Sequence, residues 1–449
     1  MEPGSDPIKN SINNYCYPEN PEAGINLFLE KLVQETEKEH EDILEQADET
    51  DAMFGELYSW YLRNPEYRSR VQKLVQSAFA GKPEDIISQS VAKALYGEVS
   101  PYSATRLERF AACAFAHFLQ YGMKLTERVE YEFKPMDMGN VMHEALESFA
   151  EEVRKRGMKW TELTEQERNE IADRCLDNIV ADYGNTVLKS SARNEYMIER
   201  TRRILRRTVW ALQKQLEQGE FQPEGFEVTF GGGRIDRVDI MEDQNKVYVK
   251  VIDYKTGNTS FDLVYLYHGL QLQLMIYLDG ALRVEQKKYP DKEIIPAGVF
   301  YYNIKDPMIQ EKIDADVEAV SAGLMKELKM NGLVQADPEL VYRMDSSLGS
   351  IPVAFNKDGS FRKNSSVADR TQFAVLGRYV RTKIEKIRSS ILEGDAEVSP
   401  YELGKKNACT YCPYMTVCGF DRRLSGYEFR RLKNFSDEEL WKAFDREAE

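Results

Sequence analysis

The chain has no apolar run approaching the roughly 18–20 residues that a helix needs to cross a bilayer. Its first twenty residues are polar and contain proline, without the basic flank and apolar stretch of a secretory leader. Both absences lead to the expectation of a cytoplasmic protein. No Gly-Xaa4-Gly-Lys-[Ser/Thr] occurs in the 449 residues, so this polypeptide offers no phosphate-cradling loop for ATP. Nor is there a surplus of positive charge. The formal net charge is -15, which argues against simple coating of nucleic acid by a basic surface. The charge is unevenly spread, however. Residues 35–52 are densely acidic, while basic clusters occur at Arg200–Arg207, Arg378–Arg388 and Arg422–Lys433. Those clusters suit phosphate contacts, but solvated helix faces carry the same pattern.

What is present is the composition of a globular protein, 42% hydrophobic and 30% charged, long enough for two or three cored domains. Residues 1–95 look helical and polar, with an amphipathic stretch at Ile25–Gln46 and aromatics among charges at Met53–Ala80. They carry no recognisable chemistry. A helix is expected from Ser103 or Thr105, which suit its N-cap, to about Gly122. Leu107, Phe110, Ala111, Ala114 and Phe118 give it one apolar stripe, and Cys113 falls within it. A second helix is expected near Gly139, with Met142, Leu146, Phe149 and Val153 buried and His143 flanking them. A long charged helical region covers roughly 160–218.

The pattern changes at Gly225. Phe226–Phe230, Arg234–Ile240 and Lys246–Tyr254 are strand-like and closely spaced, so they are expected to pair antiparallel. A helix at Tyr265–Leu282, a strand at Ala297–Ile304 and further helix at 365–394 complete a compact α/β core behind a large helical insertion.

The chemistry-bearing residues lie in that core. Asp236 and Asp253 follow apolar residues on adjacent strands, which places two carboxylates at the end of a buried sheet. Isolated buried carboxylates are unfavourable and close pairs repel. A divalent cation resolves both problems, and magnesium takes one or two carboxylates with water and a phosphate. Lys255 shares a strand face with Asp253 because alternate residues do. There it can orient an attacking water for in-line phosphodiester hydrolysis. Taken alone, Asp-Xaa-Lys is also what a surface strand with an ion pair looks like. His143 could complete the cation's ligands, though a lone histidine beside an apolar stripe is often structural. Gln273 and Tyr277, four apart on the following helix, share a face. Glu227 is a further carboxylate that either reaches the site or faces solvent.

The six cysteines do not suit disulfide pairing in a reducing compartment. Cys409-Xaa2-Cys412-Xaa5-Cys418 places three thiolates in one loop, which points to a metal site completed from elsewhere. Ligand type alone leaves zinc and iron–sulfur equally open.

The ordered set Gly139-Xaa3-His143, Glu227, Gly233-Arg-Ile-Asp236, Asp253-Tyr-Lys255-Thr-Gly257 and Gln273-Xaa3-Tyr277 resembles the RecB-type PD-(D/E)XK nucleases. With the stretch from Ser103 to Gly122 it looks closest to the C-terminal part of the AddB family of bacterial ATP-dependent helicase/deoxyribonucleases. The resemblance covers roughly residues 85–425. It implies a restriction-endonuclease-like α/β fold with a large helical insertion and an iron–sulfur staple. It also implies magnesium held by His143, Asp236, Asp253 and the Tyr254 carbonyl, with Lys255 catalytic and Gln273 and Tyr277 in support. By the same resemblance Cys113, Cys409, Cys412 and Cys418 would ligate a [4Fe–4S] cluster, leaving Cys16 and Cys175 as unpaired thiols. Ile235 stands in place of the proline of the name motif, a common departure. The long helicase-like N-terminal region of AddB proteins has no counterpart in this sequence.

The expected divisions are a helical segment at 1–95, a nuclease domain at 96–425 and a helical tail at 426–449. The expected function is a magnesium-dependent nuclease acting on single-stranded DNA in double-strand-break repair, partnered by an AddA-type helicase–nuclease subunit. Two other readings stand beside it: a DNA- or partner-binding module that does not cut, and a stand-alone exonuclease. Intact Asp236, Asp253 and Lys255 speak against the first, and the Ser103–Gly122 stretch against the second.

Overall fold

A computed structural model describes residues 49–78, 86–97, 103–126, 135–182, 191–231, 233–309, 316–423 and 426–448. The amphipathic stretch expected at Ile25–Gln46 and Cys16 lie outside the described residues. Two compact units result, one drawn from positions up to Ile86 with Ala396–Arg431, the other from Ile87–Asp395 with Leu432–Glu449.

The larger unit is organised by a six-stranded mixed sheet whose strands follow chain order: β1 (Gln222–Phe230), β2 (Gly233–Asp243), β3 (Lys246–Lys255), β4 (Glu293–Asn303), β5 (Asn331–Gln335) and β6 (Val367–Ala368). The first three form the expected antiparallel meander. β4 then runs parallel to β3, reached through the crossover helix α6 (Gln273–Lys288) that packs on both strands. Gly332 lets β5 close on β4, since a Cβ there would fall 1.9 Å from the Val299 carbonyl oxygen.

Strand alternation sorts the side chains into two cores. Val247, Val249 and Val251 face α2 (Ala104–Ala112), α6 and α7 (Arg370–Glu393), against which α8 (Asp437–Ala448) also packs. Ile252, Tyr254, Phe300 and Tyr302 face α3 (Pro135–Lys155), α4 (Glu165–Asp182) and α5 (Ala192–Glu217). The short helix α1 (Gln89–Tyr96) joins the first core through Ala92 and Tyr96. Fully burying each such valine or isoleucine contributes roughly 1.5–3 kcal/mol. Met142, Leu146, Phe149 and Val153 are buried on α3 as their spacing predicts.

Two helices differ from expectation. Ser103 does cap α2, accepting from the Arg106 N–H, but the helix is interrupted at Cys113, whose backbone is extended at φ -165°. A short helix, Ala114–His117, and a π-helical turn, Phe118–Gly122, follow. The break and the wide turn shift the register, so Leu119 is buried where Phe118 was expected. The single helix expected at Tyr265–Leu282 is two, Leu263–Tyr267 and α6. Gly269, at φ 78°, takes the left-handed conformation between them.

The smaller unit contains a helical pair, Glu49–Arg63 and Pro65–Ala78, with Leu57, Tyr61 and Val71 buried. It also has a three-stranded sheet in which Tyr401–Leu403 lies between Lys406–Asn407 and Arg430–Arg431.

One polar group is embedded in the sheet. Asp239 on β2 is fully buried, bonded by Arg237 at 2.5 and 2.9 Å and by Lys250 of β3 at 2.9 Å. Removing the shared anion would strand two buried cations. Asp239→Ala is therefore expected to destabilise the unit by about 3–5 kcal/mol, read as a fall in the urea midpoint at unchanged slope.

Candidate active site

The site forms where the β2–β3 ladder ends. Arg237 and Ile252 are the last paired residues, and Asp236 and Asp253 lie just beyond them. Asp236 takes over part of the ladder, its Oδ2 accepting the Tyr254 backbone N–H at 2.7 Å. Asp253 and Lys255 continue the face of Val247, Val249 and Val251, and the Lys255 ammonium lies 2.7 Å from Asp253 Oδ2. Shared facing of these residues was the expectation from alternation.

His143 arrives from α3. Its Nδ1 is 3.4 Å from Asp236 Oδ2 and 3.8 Å from Glu227 Oε1. Ligand atoms of His143, Glu227 and Asp236 all lie within 4.8 Å of one another, and they are the one such group among the described residues. Glu227 thus turns inward: its side chain is 7% exposed and also pairs with Arg234. Its φ of 49° lies in the left-handed region, a conformation that strains a non-glycine residue by on the order of 1–3 kcal/mol and that recurs at functional sites.

Burial disfavours the His143 imidazolium. Hydrogen bonding to Asp236 and Glu227, with the charges of Asp236 and Asp253, outweighs it and pushes the pKa up to about 10. Asp253 is 1% exposed, and burial with the Asp236 charge pushes its pKa up to about 7 against the pull of Lys255 and His143. A divalent cation fits these residues on both counts: three oxygen and nitrogen donors are already gathered, and a buried carboxyl lacks sufficient positive charge to ionise readily. His143, Asp236 and Glu227 are the side chains in place to hold it, with Asp253 alongside.

On the far side of Lys255, Gln273 Oε1 accepts from Nζ at 2.7 Å, and Gln273 Nε2 donates to the Tyr277 hydroxyl at 2.9 Å. The Tyr301 ring lies 5.4 Å from the ammonium. Glu108 of α2 was not anticipated. Its Oε1 accepts the backbone N–H groups of Leu272 and Gln273 at 2.7 and 2.9 Å. A carboxylate flanked by the buried Leu107 and Phe110 was the available signal, but its partner 164 positions away was not. Tyr254 turns its buried ring toward α3, edge-on to His143 at 6.1 Å and to Tyr302 at 6.0 Å, so its ring as well as its backbone borders the site.

The cysteines fall in different places. Cys113 is buried in the larger unit, and Cys175 is buried on α4, where burial pushes its thiol up. Cys409, Cys412 and Cys418 belong to the smaller unit and are half-buried. Asn407 Oδ1 accepts from Cys409 N and Thr410 N at 2.9 and 3.0 Å, and Cys412 N donates to Cys409 O at 3.1 Å. These bonds build a tight turn between two of the thiols, yet among the described residues no three cysteines reach ligand spacing. The donor types fit a thiolate-bound metal or cluster.

The basic clusters are extensively ion-paired. Arg202 and Arg206 engage Asp177 and Asp173 of α4, and Arg203 engages Asp306. Arg381 and Lys386 lie within 3.9 Å of Asp279 and Glu447, and Arg423 pairs with Asp421. No helix among the described residues is long and apolar enough to cross a membrane.

A model of the PD-(D/E)XK nuclease superfamily matches residues 101–419. The chain is 41% identical over 425 residues to an ATP-dependent helicase/deoxyribonuclease subunit from Lachnoclostridium phytofermentans, covering 89% of this chain and 36% of that protein. The protein of the same name from Alkaliphilus metalliredigens is 34% identical over 424 residues, covering 88% and 37%. The chain therefore spans little more than a third of the length of the curated relatives it matches. Most of its length, and every strand that builds the carboxylate site, falls inside the matched region: the chain belongs to the PD-(D/E)XK nuclease superfamily.

Proposed function

We propose that this chain is a magnesium-dependent nuclease that hydrolyses phosphodiester bonds of single-stranded DNA, acting as an exonuclease. In this reading it is the nuclease part of a cytoplasmic helicase–nuclease assembly in double-strand-break repair and recombination, with an AddA-type protein as partner. The nuclease domain is assigned to 96–425, between a helical segment at 1–95 and a tail at 426–449. The observation that carries the reading is the gathering of His143, Glu227 and Asp236 beside the Asp253–Lys255–Gln273 chain.

His143, Asp236, Asp253 and the Tyr254 carbonyl would hold the magnesium ion, and Glu227 adds a carboxylate to them. When bound, the ion supplies Lewis acidity at the phosphate and lowers the pKa of water. Lys255 commits two of its three donors to Asp253 and Gln273 and turns the third to the attacking water or the phosphate. Gln273, steadied by Tyr277, keeps the ammonium from swinging out of line. Asp236, bonded to the Tyr254 N–H, holds the two strand ends in register. A [4Fe–4S] cluster on Cys113, Cys409, Cys412 and Cys418 is proposed as a structural staple, supported by the thiolate set and the resemblance.

The test is cleavage of end-labelled single-stranded DNA by anaerobically purified chain. Cutting is expected with magnesium and not with chelator. Asp253→Ala should abolish it, and Lys255→Ala should lower kcat by roughly 10²–10³-fold, as loss of one electrostatic stabiliser does. No cutting by folded, cluster-loaded protein would overturn the reading.

Cation binding carries a second expectation. At pH 8 Asp253 has ionised, whereas His143, at about 10, still holds its proton. A ligand must shed its proton, so affinity rises with pH toward 10 and magnesium binding releases about one proton at pH 8. Titration calorimetry in two buffers of different ionisation enthalpy measures it. A His143→Gln variant should release clearly less, its remaining proton coming from Asp253, which loses the support of the His143 charge.

A further inference from the structure

We propose that Glu108 is a positioning residue for this site, holding the start of α6 so that Gln273 fixes Lys255; the inference rests on the nuclease reading above.

The helix α6 has no cap of its own. Its N-cap residue is Leu272, which has no side-chain acceptor for the first N–H groups of the helix. Those groups have no partner within the helix and need one elsewhere. Glu108 supplies it from α2, one carboxylate oxygen accepting both Leu272 N–H and Gln273 N–H. A carboxylate also suits the positive end of a helix. Burial acts against the charged form of Glu108, and the two backbone donors act for it.

Gln273 is the first residue of α6, and its side chain carries the hydrogen bond between that helix and the Lys255 ammonium. Its backbone N–H is fixed by Glu108 and its amide by Lys255 and Tyr277. A continuous chain of contacts therefore runs Glu108–Gln273–Lys255–Asp253. Glu108 makes its hydrogen bonds to the backbone at the start of α6 rather than to the proposed cation ligands. It sets where the Gln273 oxygen stands, and through it where the ammonium points. Misplacing a catalytic group by about 1 Å can lower a rate by 10²-fold.

The test combines a double-mutant cycle with amide hydrogen exchange. Wild type, Glu108→Ala, Gln273→Ala and the double variant are assayed for kcat and KM on single-stranded DNA with magnesium. Glu108→Ala is expected to lower kcat by roughly 10- to 100-fold with KM nearly unchanged. The double variant should be no slower than Gln273→Ala alone, because both changes break one chain. Glu108→Gln, whose amide oxygen still accepts, should recover most of the rate. Glu108→Asp, one methylene short, should not, and it serves if the alanine variant fails to fold. Exchange should quicken at Leu272 and Gln273 in Glu108→Ala while α7 keeps its protection. Wild-type kcat in Glu108→Ala, or losses that multiply in the double variant, would overturn the proposal. If wild type itself does not cut, the nuclease reading fails separately, and exchange then decides: unchanged protection at Leu272 and Gln273 overturns the role of Glu108, and its loss upholds the hold on α6.

Discussion

Asp236 and Asp253 stand on neighbouring strands at the one place where the ladder between them stops, and their mutual repulsion governs the surrounding structure. Like charges a few ångströms apart repel by on the order of 4 kcal/mol even at an effective dielectric of about 20. Each element nearby answers that repulsion. α3 brings an imidazole against Asp236, β3 brings an ammonium against Asp253, and the Tyr254 N–H satisfies an Asp236 oxygen. Glu227 adds a third anion in a strained backbone conformation, a burden on stability without a cation. An arrangement that is electrostatically poor when empty is suited to binding a small, highly charged ion.

Elsewhere the sheet treats charge in the opposite way. Asp239 is matched by Arg237 and Lys250 and sealed from water, so it is satisfied internally and has no use for a ligand. Asp239 lies within the paired ladder, where alternation puts Arg237 on its own face to seal it, whereas Asp236, three residues away, lies just beyond the last pair. Position along the strand thus separates a structural anion from one left open to a ligand.

The same alternation explains how much of the site was legible in the sequence. Val249, Val251, Asp253 and Lys255 obey a period of two, and Met142, Leu146, Phe149 and Val153 a helical period, so facing could be read from spacing. The three-strand meander followed from short connections. Long-range partners were not legible. Nothing local says that Glu108 meets Gln273, that Arg206 is answered by Asp173, or that Glu227 turns inward through a left-handed backbone. Nor does periodicity register one extended residue at Cys113, which moved burial from Phe118 to Leu119 without disturbing the stripe before it.

The contact from Glu108 to the head of α6 closes a loop of 164 residues. The β1–β3 hairpins close loops of only a few residues and can form early, since the entropy of loop closure rises with length and distant contacts slow folding. Pairing of the strands that carry the carboxylates and alignment of the lysine thus rest on contacts of very different sequence separation. The sheet can present its carboxylates before α2 has docked, and α2, although it precedes the whole sheet in the chain, completes its role only once α6 is in place. With the sheet formed and α2 undocked, the carboxylates would stand together while the ammonium beside them was not yet held in line.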